Sequence, residues 1–321
     1  MTPITPPGMP MKPDPIRHGP RFASPINSPA WEWQEDTEFL EVTRGCSHNG
    51  CRFCTFYKDI PFAKTPIEDI EYYLSYLSLG DKRTPIHRIY LQAANAFHLS
   101  YDELSRIAEL IHRYLPHVVS IGGYGRMTDL RDKTVAQLQS LTEMGYGWFN
   151  FGVESADDVL LACINKGIDS RELYEAGHKL DESGMPWTAN VIFGLGGEGY
   201  GYDHARKTAD FFNATKPDVI GGVSLRLVYD PHTNMEPPLL GDVREGSFVE
   251  AGELERYFEM REFIKRLDIE TTFACRHTTM PYGFTVHLPE QKGDVLRRID
   301  QIIEEGDEYY MRLFAASVKE V

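Results

Sequence analysis

Cysteine and positive charge are both scarce in this chain. Five of its 321 residues are cysteines, and lysine and arginine total 33 against 48 aspartates and glutamates, which gives a formal charge of −15. This acidic balance offers no global electrostatic support for binding a nucleic-acid backbone. No apolar run is long enough to cross a membrane. We therefore expect neither nucleic-acid binding nor membrane insertion.

Residues 1–38 hold nine of the twenty prolines and lack the basic and apolar regions of a signal peptide. We expect a cytoplasmic protein that begins with a proline-rich arm, because this composition favours extended backbone over a regular domain. The arm is either flexible or an ordered strap. We keep the ordered strap as an alternative because four residues, Phe22, Ile26, Trp31 and Trp33, give the arm apolar side chains to bury.

From residue 39 onward, strand and helix patterns alternate, and the hydrophobic fraction of 42% supports a sizeable core. Apolar, β-branched or aromatic runs predict six strands, at 39–44, 87–94, 118–124, 148–155, 187–195 and 219–228. Helical patterns lie between them, at 65–79, 101–115, 132–144, 157–183 in two pieces, and 201–215. Further helices are predicted at 250–267 and within the tail at 289–321.

Repeated strand–helix units predict an α/β fold with parallel pairing. The sheet is either doubly wound and open or an incomplete barrel, and in both cases ligands bind at the carboxyl ends of the strands. We expect three regions: the arm at 1–38, a core at 39–230, and a C-terminal helical extension at 231–321 that closes the core.

Three of the five cysteines, Cys46, Cys51 and Cys54, form a C-x4-C-x2-C cluster directly after the first predicted strand. Thiolates this close, with no obvious cysteine partners elsewhere, are typical of metal ligands and not of disulfides. With His48 they could close a structural zinc site. Alternatively, they could hold a [4Fe–4S] cluster whose fourth iron is free. Spacing does not decide, but the position at the predicted ligand site and the lack of a second ligand pair downstream favour iron.

Further motifs follow the cysteines in order. Phe53 precedes the third cysteine, 152–155 (GVES) ends the fourth strand, 164–167 (INKG) follows the next helix, and 191–198 (VIFGLGGE) lies on the fifth strand. Over roughly 39–280 this order resembles the radical S-adenosylmethionine (SAM) superfamily. The resemblance extends to the branch of oxygen-independent coproporphyrinogen dehydrogenases, elongator-type proteins and methylthiotransferases, and it implies a partial (βα)6 barrel similar to a TIM barrel.

Two departures accompany the resemblance. The usual loop of the superfamily is C-x3-C-x2-C, one residue shorter than here, and 92–95 (QAAN) stands where a glycine-rich turn usually ends the second strand. Alanines are small enough for the same close backbone approach. The chain has no cobalamin-binding domain, no second cysteine-rich cluster domain and no recognisable RNA-binding appendage. These absences argue against a methylthiotransferase.

The resemblance implies a role for each matching residue. The cluster ligands would be Cys46, Cys51 and Cys54. Phe53 would lie near the adenine of SAM, and Ala93, Ala94 and Asn95 would meet its amino group. Glu154 and Asn190 would contact the ribose, and Lys166 would pair with the carboxylate. Ser155 of the GVES motif would also belong to the cofactor site. Alternatively, Glu154 and Lys166 form a partly exposed ion pair, and Asn190 is a polar group satisfied by backbone.

Other candidate residues lie at or beyond the strand ends. Tyr124 and Arg126 could bind a polar or anionic substrate, whereas a structural role suits Arg226 better. Cys275 could donate a hydrogen atom or carry a group, and His277 could act as an acid or base. Both could also be incidental residues of an edge strand.

The expected activity is reductive cleavage of SAM to a 5′-deoxyadenosyl radical that abstracts hydrogen from a small molecule or peptide. An electron donor such as flavodoxin or ferredoxin would act as partner. Modification of RNA is one alternative, and it would require a local basic groove. A non-catalytic protein with a structural Cys3His zinc site is the other.

Overall fold

The computed structural model describes residues 28, 32–79, 85–229 and 234–317. The chain divides into two compact units, the first formed by 1–47, 59–150 and 183–185, and the second by 48–58, 151–182 and 186–321. Most of the proline-rich arm, including Phe22, Ile26 and Trp31, lies outside the described residues. Trp33 is described, and its ring packs on Phe39 with the centroids 4.6 Å apart. The predicted boundaries at 38 and 230 stay a prediction.

The first unit contains three parallel strands and a short ribbon. β1 pairs with β4 and β4 with β5, both in parallel, and β2 pairs with β3 antiparallel. Its elements are β1 (Thr37–Glu41), β2 (Thr43–Arg44), β3 (Ala63–Lys64), α1 (Ile67–Ser78), β4 (Arg88–Gln92), α2 (Tyr101–Tyr114), β5 (Ser120–Arg126) and α3 (Val135–Glu143), with 3₁₀ turns at Ala96–His98 and Met127–Leu130.

Strand β6 (Phe149–Glu154) runs from the first unit into the second. Within the second unit, β7 pairs with β8 and β8 with β9 in parallel, and β10 pairs with β9 antiparallel. The remaining elements are α4 (Asp158–Cys163), α5 (Ser170–Ser183), β7 (Trp187–Phe193), α6 (Gly201–Thr215), β8 (Val219–Ser224), α7 (Pro238–Glu245), α8 (Glu253–Arg266), β9 (Thr271–Ala274), β10 (Thr285–Leu288), α9 (Lys292–Glu305) and α10 (Glu308–Ser317).

The predicted fold class is confirmed. All six predicted strands and the helices between them occur, with their ends shifted by a few residues, and the predicted parallel pairing is present within each unit. This is the strand–helix succession of a partial (βα)6 barrel, followed by the predicted helical extension. The sequence interpretation missed helix α7 and the short strands β3 and β10.

Local signals explain where helices begin. At the start of α2, Glu103 N donates to Ser100 Oγ at 3.3 Å, and Ser100 N donates to the Glu103 carboxylate at 2.8 Å, which forms a capping box. The buried side of α2 includes Leu104, Ile107 and Ile111, which are spaced by three and four residues. Among the described residues, no helix combines the length and apolar character that crossing a membrane requires.

The core of the second unit is built around Phe263 of α8. Its ring centroid lies 5.7 Å from that of Phe193 in β7, 5.8 Å from that of Phe212 in α6 and 6.1 Å from that of Phe273 in β9. All four side chains are fully buried. Four elements therefore meet at one aromatic side chain, and edge-to-face contacts add to its apolar burial.

Truncation of this side chain tests the core. Phe263→Ala should lower the free energy of unfolding by about 3–5 kcal/mol, because it removes buried apolar surface and leaves a cavity. Phe258 lies in the same helix with 55% of its surface exposed, so Phe258→Ala should cost no more than about 0.5 kcal/mol. Urea denaturation measures both variants. Equal, small losses would contradict the central position of Phe263.

Candidate active site

The cysteine loop begins with a constrained turn. Gly45 has a φ of +67°, and a Cβ at this position would lie 2.6 Å from the carbonyl oxygen of Ile60. Only glycine fits here without strain. None of the five cysteines of the chain forms a disulfide bond, and Cys46, Cys51 and Cys54 are half-buried.

Arg52 anchors the part of the loop that belongs to the second unit. Its backbone N–H donates to the Ile164 carbonyl at 2.9 Å. Its guanidinium donates to the Cys163 carbonyl at 3.1 Å and to Asp242 Oδ1 at 2.6 Å. Leu239 N donates in turn to the Arg52 carbonyl at 2.8 Å. The loop is therefore tied to the end of α4 and to α7 independently of any metal.

The INKG turn holds His48. Nε2 of His48 lies 2.7 Å from the Asn165 carbonyl oxygen, and Asn165 Nδ2 donates to the Gly50 carbonyl at 2.9 Å. Gly167 has a φ of +76°, and a Cβ there would come within 2.8 Å of the His48 ring. This hydrogen bond and the close approach of Gly167 fix the position of the His48 ring. Among the described residues, no three His, Cys, Asp or Glu side chains are grouped to hold a single metal ion.

In the first unit, the QAAN segment forms a left-handed turn at the end of β4. Ala93 is fully buried with a φ of +80°, a conformation that alanine rarely adopts. The buried Asn95 amide donates to Ser47 Oγ at 2.7 Å and to Asp129 Oδ1 at 3.2 Å, and it accepts from Ser47 N at 3.2 Å. Asn95 therefore fixes the residue that follows the first cysteine.

Glu154 and Lys166 form a buried ion pair in the second unit. The Lys166 ammonium donates to Glu154 Oε1 at 2.7 Å, and the two side chains are only 7% and 11% exposed. The ion-pair alternative considered from the sequence is thus present, although the pair is buried and not partly exposed. The ammonium also lies 6.0 Å from the ring centroid of Phe53. The structure therefore brings together three of the residues predicted to bind SAM.

The backbone at the end of β6 is strained around this pair. Glu154 has a φ of +63°, and a Cβ at Gly152 would collide with its Oε1. Glycine at 152 therefore leaves the space that the Glu154 side chain occupies. The next residue, Ser155, is fully buried, and its hydroxyl accepts from Asp157 N at 3.0 Å.

A second buried pair, His204 and Glu259, supports the same strand end. Nδ1 of His204 lies 2.6 Å from Glu259 Oε1, and Nε2 donates to the Glu154 carbonyl at 3.1 Å. Glu259 Oε2 accepts from Gly194 N at 2.8 Å. Both side chains are 1% exposed. One carboxylate of α8 therefore braces the ends of β6 and β7.

Asn190 lies half-buried in β7, opposite Gly221 of β8 in the parallel register. A Cβ at Gly221 would stand 2.7 Å from Asn190 Oδ1. Because glycine has no Cβ, the Asn190 amide fits beside Gly221.

The candidates on the substrate side lie in both units. In the first unit, the Tyr124 ring makes an edge-on contact with Tyr90 at 6.0 Å, and Arg126 N donates to Asp129 Oδ2 at 2.8 Å. In the second unit, the Arg226 guanidinium donates to both carboxylate oxygens of Glu253 at 2.9 Å. This buried pair gives Arg226 a structural contact.

Cys275 and His277 follow β9 with different chemistry. Burial raises the pKa of Cys275 to about 12, so it is a protonated thiol and a poor nucleophile at neutral pH. Burial, and then the nearby Arg226 charge, lower the pKa of His277. Nδ1 of His277 accepts from Thr279 N at 3.3 Å, which leaves the proton of the neutral ring on Nε2.

The model of the Radical SAM superfamily matches residues 40–212, slightly more than half of the chain. The chain belongs to the radical SAM superfamily. It is a radical SAM enzyme, and the cofactors of this superfamily are a [4Fe–4S] cluster and SAM. Radical SAM enzymes need a reductant and a substrate. The alternative of a non-catalytic zinc protein is therefore wrong. A search among curated proteins finds no match.

Several solved radical SAM structures are similar to the chain. The methyltransferase TsrM from Kitasatospora setae is 18% identical, with 59% of this chain and 37% of that one covered and a TM-score of 0.47. Coproporphyrinogen III oxidase from Escherichia coli is 13% identical, with 84% and 53% covered and a TM-score of 0.48. Elp3 from Methanocaldococcus infernus is 12% identical, with 84% and 63% covered and a TM-score of 0.48. The chain thus spans between about a third and two thirds of the length of these proteins.

The radical SAM motifs did not reveal every residue that shapes the site. Arg52 is adjacent to Cys51, yet its partners Asp242 and Leu239 lie far along the chain. His204 and Glu259 carry only a weak signal, since each is a polar residue within the apolar pattern of a helix.

The Glu154–Lys166 pair predicts a large cost when one partner is removed. Lys166→Met should lower the free energy of unfolding of the cofactor-free protein by about 3–5 kcal/mol, because Glu154 would be left buried without its partner. The double variant Glu154→Gln with Lys166→Met should be more stable than this single variant, since no buried charge is then stranded. Urea denaturation of both proteins tests this. A loss below about 1 kcal/mol for Lys166→Met would show that the pair is solvated.

The surroundings of His277 predict a pH effect on stability. Because its pKa in the folded protein is below its ordinary value near 6.5, the unfolded chain binds the proton more readily. Acidification through about pH 6.5 should therefore destabilise the wild type, and the loss should be smaller in His277→Gln. Urea denaturation between about pH 8 and about pH 5.5 compares the two slopes. Identical slopes would contradict a buried, neutral His277.

Proposed function

We propose that Cys46, Cys51 and Cys54 hold a [4Fe–4S] cluster at which SAM is cleaved reductively, so that hydrogen is abstracted from a small-molecule or peptide substrate. When bound, the two cofactors supply a 5′-deoxyadenosyl radical. The observation that carries the proposal is the metal-independent anchoring of the cysteine loop by Arg52, next to the Phe53–Lys166–Glu154 group.

The donor set fits the cluster. Three cysteines of one half-buried loop, none of them in a disulfide bond, can each bind a different iron, and the fourth iron is then left for a small ligand. A structural zinc site would need its protein ligands within reach of one ion, and among the described residues no three His, Cys, Asp or Glu side chains are grouped in that way. Iron is therefore the better match to these residues.

The SAM-binding role assigned to Lys166 is compatible with its ion pair. An ammonium has three N–H donors and can bind more than one acceptor, and one of these acceptors is Glu154. We propose that Lys166 binds the SAM carboxylate, Glu154 and Asn190 the ribose, and the small residues Ala93 and Ala94, with Asn95, the amino group. Ser155 supports Glu154 from the next position.

Apolar packing beside Phe53 supports its placement near the adenine. Phe53 packs against a cluster of buried aliphatic side chains. Its members are Ile164, Ile192, Leu195, Leu225, Leu227 and Leu239. This packing keeps water away from one side of the proposed site, as radical chemistry requires.

We also propose residues that contact the substrate and a class of protein that acts as the reductant. Tyr124 and Arg126 would contact the substrate, His277 would act as an acid or base through its neutral ring, and Cys275 would serve as a hydrogen-atom donor and not as a thiolate. The reductant would be a flavodoxin or ferredoxin. A cytoplasmic location is consistent with five free cysteines.

Loss of one cluster ligand tests the proposal. Cys51→Ala should abolish both cluster binding and the release of 5′-deoxyadenosine from SAM, because one iron loses its protein ligand. Cys163→Ala is the matched control, since Cys163 is also a half-buried free thiol but lies in α4. Both proteins are reconstituted with iron and sulfide without oxygen, and absorption, iron content and 5′-deoxyadenosine are measured. Full activity of Cys51→Ala would refute the ligand assignment.

Modification of RNA stays the alternative. It requires measurable RNA binding that weakens steeply as salt concentration rises. Filter binding with total tRNA at two salt concentrations would reveal it. Tight, salt-sensitive binding would replace the small-molecule or peptide substrate with RNA.

A further inference from the structure

One face of the first unit's sheet carries polar side chains near the strand ends. Leu91 of β4 pairs with Gly123 of β5, and the Phe149 ring lies 3.1 Å from the position of a Cβ at Gly123. Leu91, Gly123 and Phe149 therefore share a face. Since side chains alternate along a strand, Gln92 and Asn150 lie on the opposite face.

Both polar atoms of the Gln92 amide and the amide oxygen of Asn150 are buried without hydrogen-bond partners. Gln92 is 0% exposed, and neither its Oε1 nor its Nε2 has a partner. Asn150 is 2% exposed, and its Oδ1 has none. An unpaired buried amide costs stability, and native proteins contain few of them. Two such groups on one face are explained if a bound molecule supplies the missing partners.

The chemistry of the two amides defines the ligand. A primary amide offers an acceptor and two donors side by side, so its complement is a group with a donor and an acceptor on neighbouring atoms. Carboxamides, lactams and nucleobases have such an edge. Glu41 is opposite Gln92 in the parallel register and is 2% exposed. A carboxylate ligand has only acceptors and therefore cannot complement both the donor and the acceptor of an amide.

Aromatic rings share the face. Tyr90 precedes Gln92 by two residues and therefore lies on the same side of β4. Its ring makes the edge-on contact with Tyr124. Flat apolar rings beside a hydrogen-bonding amide are the surroundings that planar amide-containing rings require.

We infer that Gln92 and Asn150 bind the uncharged, amide-like or nucleobase-like edge of a ligand at the end of β4. The inference rests on the proposed function, because it names the chemistry of a ligand that binds at the proposed site. The edge belongs either to the substrate or to the adenine of SAM, and the experiments below separate the two sources.

The first experiment measures thermal stability without ligand. Gln92→Met keeps the length of the side chain and removes the unpaired amide, so the melting temperature should rise by about 2–4 °C. Asn95→Leu is the control, because the Asn95 amide is equally buried but fully engaged, and its melting temperature should fall. A fall for Gln92→Met as well would show that the Gln92 amide has partners, and would overturn the inference.

The second experiment measures binding by saturation-transfer NMR, with nicotinamide and adenine as probes and succinate as an anionic control. The reconstituted wild type should bind both probes but not succinate, and Gln92→Met should lose the signal. A wild-type signal that persists in saturating SAM assigns the edge to the substrate, whereas a signal that SAM removes assigns it to the adenine of SAM. Equal signals in wild type and Gln92→Met, or none in either, would overturn the inference.

Release of 5′-deoxyadenosine distinguishes a failure of the proposed function from a failure of the inference about Gln92 and Asn150. If the proposed function is wrong, neither wild type nor Gln92→Met releases it. If only the present inference is wrong, both proteins release it at the same rate, and the probes do not distinguish them.

Discussion

The candidate site in the second unit depends on the hydrogen bonds of the Glu259 carboxylate. It accepts from the backbone of Gly194 and lies beside the His204 ring, which in turn donates to the Glu154 carbonyl. Gly194 and Glu154 both have left-handed backbone. Glycine adopts this conformation readily, but at Glu154 it costs free energy and persists only where the surroundings hold it. The buried, hydrogen-bonded pair of His204 and Glu259 supplies that support, and the strained end of β6 can then present Glu154 and its neighbours in a fixed geometry.

The same reasoning explains why the site contains so much buried charge. Breaking a buried pair is costly, so Glu154 and Lys166 stay together at a defined place without any cofactor. A ligand that binds there meets side chains that are already ordered, and less entropy is lost on binding. The arrangement specifies position more than it adds stability, since buried pairs contribute little net stability relative to apolar packing.

The sequence predicted the fold well because its signals are local. Strand and helix periodicity, the Ser100 capping box and the Cys46–Cys54 spacing all lie within a few residues of one another. The long-range contacts that support the site could not be predicted, because Arg52 and Asp242 are 190 positions apart and His204 and Glu259 are 55 positions apart. Nor could the sequence show that the Glu154–Lys166 pair and Cys275 are buried, because burial depends on the assembled fold. The missing partners of Gln92 are likewise visible only once its neighbours are placed.

The anchoring of Arg52 bears on the order in which the loop and its cluster assemble. A metal-binding loop without other contacts is ordered only when metal binds, and part of the binding free energy is then spent on folding. Here the Arg52 backbone and guanidinium bind α4 and α7 through neighbours that are not themselves ligands. The loop region around Cys51 and Cys54 is therefore shaped before any metal arrives. Helix α7, which lies outside the segment that matches the family, thus supports the proposed cofactor site, because Asp242 and Leu239 hold the residue between two of the proposed cluster ligands.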